Sequence, residues 1–130
     1  MDKNLFRAKR TQDSSWIYGS LITGGKSCTA IYRSESMHSF TVLPETVGQF
    51  TGLTDKNGTK IFEGDIVDVE HDLRYVGVAA ERIGLFKVVF DEGCFMKQNH
   101  HGLFHFIKSD TCTVVGNIYD NPELLKENKI

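Results

Sequence analysis

The sequence predicts a mostly β protein, a β-rich α+β chain in which several coiled sheets carry the core and one short helix closes the chain. Three observations predict it. Short apolar runs recur about every ten residues, separated by Gly, Asn and Asp, which is the punctuation of strands and turns and not of a helical bundle. Twelve glycines against two prolines supply turn residues throughout the 130-residue chain. Nine Phe and four Tyr stand beside Val, Ile and Thr, side chains that fit a pleated, half-buried surface.

Asn4 to Arg10 reads as a first strand, with Leu5 and Phe6 apolar and Arg7, Lys9 and Arg10 at an edge. Thr11 to Ser15 is a polar turn. Trp16 to Thr23 is a second strand, closed by Gly24-Gly25. Cys28 to Arg33 and Ser39 to Leu43 follow as strands joined by Ser34 to His38. Pro44, with its fixed φ and missing N–H, starts a corner. Gln49 to Thr54 is extended and leads into Asp55-Lys56-Asn57-Gly58, where Asn-Gly suits a type I′ hairpin. Thr59 to Phe62 returns, and Glu63-Gly64-Asp65 turns again. In Ile66 to His71 the alternation puts Val67 and Val69 on one face, Asp68 and Glu70 on the other. Asp72 to Arg82 reads either as a short helix with Leu73, Val76 and Ala80 on one side or as a long loop. Glu81 to Asp91 is the clearest strand, with Phe86, Val88 and Phe90 expected in the core. Asp91-Glu92-Gly93 turns into Cys94 to Gln98, and Leu103 to Ile107 and Thr111 to Ile118 complete the strands. Asn121 is placed as N-cap and Pro122 as the first residue of a C-terminal helix.

The length suits one domain, or one domain with a smaller lobe, burying roughly two thirds of its unfolded surface without staples. The net charge of −2 gives no general attraction to nucleic acid or to an anionic membrane. Three cysteines (Cys28, Cys94, Cys112) without a CxxC pair, behind no leader sequence, read as reduced, buried thiols of a cytoplasmic chain. No apolar run approaches the length of a membrane span, so no membrane partner is expected.

Two stretches carry a family pattern. One is Gln49-Phe50-Thr51-Gly52-Leu53-Thr54-Asp55-Lys56-Asn57-Gly58, continuing through Ile61-Phe62-Glu63-Gly64-Asp65-Ile66-Val67. The other is Val114-Val115-Gly116-Asn117-Ile118-Tyr119-Asp120-Asn121-Pro122-Glu123-Leu124-Leu125. In this order and at this spacing they resemble the YopX family, small proteins carried mainly by bacteriophages and prophages. Val88, Phe90, Asp91, Gly93 and Phe95 also look like that family's central hairpin, and Phe6-Arg7-Ala8 like its opening. The resemblance implies several coiled sheets with an SH3-like barrel in the C-terminal half, and it implies no activity. On this reading residues 1–48 form an N-terminal β lobe and residues 49–130 one compact unit of barrel and C-terminal helix. Gly52, Asn57, Gly58, Gly64, Asp65, Gly116, Asn121 and Pro122 then form a structural signature of turns and a helix start.

Candidate chemistry is thin. Gly24-Gly25-Lys26-Ser27 echoes a phosphate-binding loop, but Ser20 stands where the first Gly belongs and a β-like run follows. Cys94, His100, His101 and His105, with Cys112 nearby, carry zinc-type ligands, yet only His101 and His105 have knuckle spacing, and that spacing converges only on a helix. Leu103 and Ile107 share a strand face with His105, which makes it a half-buried aromatic. Asp65, Asp68, Glu70, Asp72, Asp91 and Glu92 are explained by solvated strand faces and turns. No nucleophile turn is present. No catalytic residue, cofactor or metal is therefore assigned, and the chain is expected not to be an enzyme. Lys3, Arg7, Lys9 and Arg10, with Trp16, form the one basic and aromatic concentration; it suits weak nucleic-acid contact or a charged edge strand that resists sheet pairing. The expected function is a phage or prophage accessory role by macromolecule binding. The expected partner is another protein or a second copy of the chain, with nucleic acid as the alternative.

Overall fold

A computed structural model describes residues 5–24, 28–71, 81–99 and 102–126. Lys3, Lys26, residues 72–80, His100 and His101 lie outside the described residues, as does the side chain of Cys28. The contacts divide the chain into two units, Met1–Gly52 and Leu53–Ile130.

In the first unit β1 (Phe6–Lys9), β2 (Trp16–Gly24), β3 (Cys28–Arg33), β4 (His38–Thr41) and the start of β5 (Gly48–Thr54) lie in the order β4-β3-β2-β1-β5. Each pairing is antiparallel. Ala8 faces Ile17, and Ile31 lies between Leu21 and Phe40. Ala8, Ile17, Ile31 and Val42 form the core, with Phe6, Leu21, Phe40 and Val47 packed around it. Burying Ile31 alone contributes about 2 kcal/mol. The β1–β2 turn is written by Asp13, whose Oδ1 accepts from the Ser15 N–H and the Ser15 hydroxyl. Pro44–Thr46 forms a short 3-10 turn, and Thr46 Oγ1 accepts from the Lys9 N–H at 2.9 Å, tying that corner to β1.

The second unit contains the turn after β5, then β6 (Lys60–Phe62), β7 (Asp65–His71), β8 (Glu81–Asp91), β9 (Cys94–Gln98), β10 (Phe104–His105), β11 (Cys112–Asn117) and α1 (Glu123–Lys126). Its five-stranded antiparallel sheet has the order β10-β9-β8-β7-β11, and a 3-10 turn at Ser109–Thr111 leads into β11. β10 and β11 stand at opposite edges, with no pairing between them among the described residues. Ile61, Val67, Val69, Phe86, Val88 and Cys112 form the core, with Ile83, Ile107 and Val114 beside it. The chain is thus mostly β, two antiparallel sheets and one short helix.

Several sequence expectations need correction. Phe90 is 51 % exposed, although it shares a face with Phe86 and Val88. β8 outruns the core there, and Phe90 packs instead on its cross-strand partner Phe95, ring centroids 4.9 Å apart. Leu103 to Ile107 reduces to a two-residue strand, since only Phe104 and His105 pair with β9. Cys94 is exposed, because it opens β9 directly after a turn, and the His105 side chain is exposed as well. The type I′ turn does not lie at Asn57-Gly58, where only Gly58 has positive φ (85°). It lies at Glu92-Gly93, with φ of 47° and 83° between the paired Asp91 and Cys94. Asn121 does not cap α1. Its side-chain oxygen turns back to accept from the Asn117 N–H at 3.3 Å, and Pro122 lies one residue before the helix.

Candidate functional site

The signature residues turn the chain and clasp its ends. Gly52, Gly58 and Gly64 all have positive φ, which L side chains adopt only at a cost. Asp65 is buried, and its Oδ2 accepts from the Phe62 N–H at 2.7 Å across the β6–β7 turn. Gly116 serves a close approach: a Cβ there would lie 2.6 Å from Asn121 Oδ1, the atom bonded to Asn117.

The residue of greatest structural consequence in this region is one that the sequence reading passed over. Asp55 is 4 % exposed, and its Oδ1 accepts from the N–H groups of Asn57 and Thr59, each at 2.9 Å. Its Oδ2 accepts from the Val114 N–H, also at 2.9 Å. One carboxylate therefore shapes the turn and fastens it to β11. Burial pushes this carboxyl up, but the three N–H donors and the Lys56 charge together hold it below the ordinary carboxylate value. The signal for it was Asp at the first position of an Asx turn, two residues before Asn57.

Of the basic and aromatic cluster, Arg7, Lys9 and Trp16 share the face opposite the core, whereas Arg10 lies apart, over Phe40, which packs on the core. The register sets Arg7 against Tyr18 and Lys9 against Trp16. The Arg7 guanidinium lies 4.7 Å from the Trp16 ring centre and the Lys9 ammonium 5.5 Å. Arg7 is only 6 % exposed. Arg10 lies over Phe40 at 4.8 Å and donates to Gln12 Oε1 at 3.0 Å. Beside this cluster a cleft of about 290 Å³ is lined by Trp16, Tyr18, Tyr32 and Arg33.

The second unit carries a larger groove, of about 590 Å³, on the core face of its sheet. Its walls are Val69, Ile83, Phe86 and Phe106, and Lys97, His105, Lys108 and Glu70 bring polar groups to it. Lys97 reaches this face by register. It pairs with Val88 on one side and with His105 on the other, so period-2 alternation points it inward with Phe95. It is 8 % exposed, with its ammonium 5.4 Å from the centre of the Phe86 ring. The His105 ring meets the same Phe86 edge-on at 5.7 Å. Burial lowers the Lys97 pKa and Lys108 lowers it further, while Cys112 opposes both. Burial in turn raises the Cys112 thiol, against the pull of Lys97, so Cys112 stays neutral and gives the ammonium no counter-charge. Glu70, the carboxylate in the groove, is engaged at 3.4 Å with Lys56. No group of three or more metal-ligating side chains converges among the described residues.

A family model described as YopX protein matches residues 5–126. Among solved structures, the chain is similar to the crystal structure of protein EF1440 from Enterococcus faecalis. The two are 25 % identical over 92 % of this chain and 96 % of that one, with a TM-score of 0.58. No curated protein matches the chain. Among the described residues no helix is long and apolar enough to cross a membrane.

Proposed function

The chain belongs to the YopX protein family, and on that premise we propose that it is a phage or prophage accessory protein of the bacterial cytoplasm. It works by holding another protein, or a second copy of itself, and catalyses no reaction. The observation that carries this reading is the apolar edge of the second sheet. Leu103 is 58 % exposed, Phe104 42 % and Phe106 77 %, around a strand that offers only two paired residues. An open edge with bulky apolar side chains is the feature that soluble proteins suppress unless a partner covers it. Strand addition there would supply backbone bonds, with Phe104 as anchor.

The same unit is read as an SH3-like barrel. Four strands meander, and the fifth returns past a 3-10 turn to the far side of the first, which is the wiring of that fold.

Light scattering over a range of concentrations, with affinity capture from phage-infected cells, tests the reading. Wild-type protein should self-associate or retain a defined partner, and Phe104→Ser should lose it. A strict monomer with no retained partner contradicts the reading. The cleft lined by Trp16, Tyr18, Tyr32 and Arg33 favours a second reading, single-stranded nucleic acid stacked on aromatic rings. It is the weaker one, because Arg7 and Lys9 already occupy Trp16. Oligonucleotide binding at two salt concentrations separates the two readings, since phosphate contacts give a salt slope.

A further inference from the structure

We propose that the groove beneath Lys97 is a binding site for a small organic monocarboxylate with an aromatic or aliphatic body. Lys97 is more than nine-tenths buried, a rare state for a lysine, and its ammonium lies on the Phe86 ring where the chain lines the groove. Lys108 adds a second cation to the groove, and the carboxylate there, Glu70, is engaged with Lys56 at 3.4 Å. A replacement apolar residue would pack the same sheet face without the cost of burying a charge, so the ammonium is a poor choice for the fold alone.

The groove defines what would satisfy it. One deeply set cation asks for one negative charge, whereas a phosphate dianion is ordinarily met by several donors or a run of backbone N–H groups. The second cation, Lys108, stands exposed at the rim. The apolar walls Val69, Ile83, Phe86 and Phe106 provide a place for the rest of the molecule. Phe106, largely in water as it stands, would be covered by an occupant. The volume of about 590 Å³ suits a small molecule.

The site shares Phe106 with the apolar edge of the protein-binding reading but differs from it at Phe104. His105 and Phe104 are successive strand residues that pair with Lys97 and Gln98, so one points into the groove and the other to the opposite face. Phe104→Ser therefore probes a partner and Lys97→Met probes the groove.

The test is titration of the full chain with hydrocinnamate and with its neutral amide, followed by amide chemical shifts of the uniformly labelled protein. Saturable shifts at Lys97, His105 and Thr111 are expected with the acid. The neutral amide should bind roughly tenfold or more weakly, the difference expected when a charge-assisted contact is lost. Lys97→Met should weaken the acid by a similar factor and leave the amide unchanged, and Lys108→Met should weaken it less. No saturable shift, equal binding of acid and amide, or undiminished binding to Lys97→Met would each overturn the proposal. The comparison of acid and amide on wild-type protein stands even if a variant folds poorly.

Discussion

The two units set their buried charges in different surroundings. In the first, cations are absorbed where they arise: Arg7 and Lys9 stack on Trp16, while Arg10 lies on Phe40 and bonds Gln12. In the second, a buried carboxylate is held by the backbone, while a buried ammonium lies on a ring beside a groove. Asp55 accepts three backbone N–H bonds, whereas Lys97 rests on Phe86 beside a neutral thiol. Both units lay a buried cation on an aromatic ring, but in the second the ammonium lines an apolar groove of about 590 Å³, the feature on which the proposed ligand site rests.

The largest effect should come from breaking the Asp55 clasp. Asp55→Ala strands three N–H groups and should cost about 3 kcal/mol in denaturant unfolding. Burial raises the Asp55 carboxyl and the N–H donors outweigh it, so its folded value lies below the ordinary 3.8. The stabilisation it gives is therefore complete above that ordinary value and is lost as pH falls through the lowered one. Acid titration of stability should show this loss in wild type and not in the Ala variant.

Next comes the contact between Gly116 and Asn121. Gly116→Ala should cost about 2 kcal/mol, because the new methyl displaces the side chain that accepts from Asn117. Asn121→Ala removes the obstacle, so the double variant should lose less than the sum of the two singles, measurable as a coupling energy.

Lys97→Met should move stability the other way, a gain on the order of 1 kcal/mol at neutral pH. Burial lowers the Lys97 pKa from 10.5, so between the lowered value and 10.5 the unfolded chain binds more protons. Wild-type stability should rise with pH through that window, and the Met variant should lack the rise. The smallest effect is in the first unit. Arg10→Gln removes an exposed ion pair to Asp13 at 3.9 Å and should cost less than about 0.5 kcal/mol. A larger loss there would break the contrast between the units.

Much of the strand pattern was legible because turn residues delimit it locally. Cys94–Gln98 begins after Glu92-Gly93 and ends before Asn99, and Glu81–Asp91 ends at that same turn. Alternation placed Val67, Val69, Phe86 and Val88 inward, and all four are core. It failed at Phe90, because period 2 reports a face and not how far the core extends along it. It also failed at Leu103 to Ile107, where apolar residues stand at an edge with nothing opposite most of them. The turn types were exchanged because Asn-Gly is the stronger local signal, while the Asp55 carboxylate, bonded to Asn57, Thr59 and a β11 residue 59 positions away, sets a different turn. Lys97 was legible only in part. The alternation from Phe95 points it inward, but the groove it lines is built by residues of β7, β8 and the segment after β10, which no local pattern brings together.

The most direct measurement is the titration of the Lys97 ε-ammonium, followed by the ε-carbon shifts of labelled lysines in the protein without added acid and assigned with Lys97→Met. The account predicts that Lys97 gives up its proton at lower pH than the exposed lysines do. A Lys97 that titrates with them, or above them, would mean that an anionic group of the chain already holds it, and the groove would have no charge to offer.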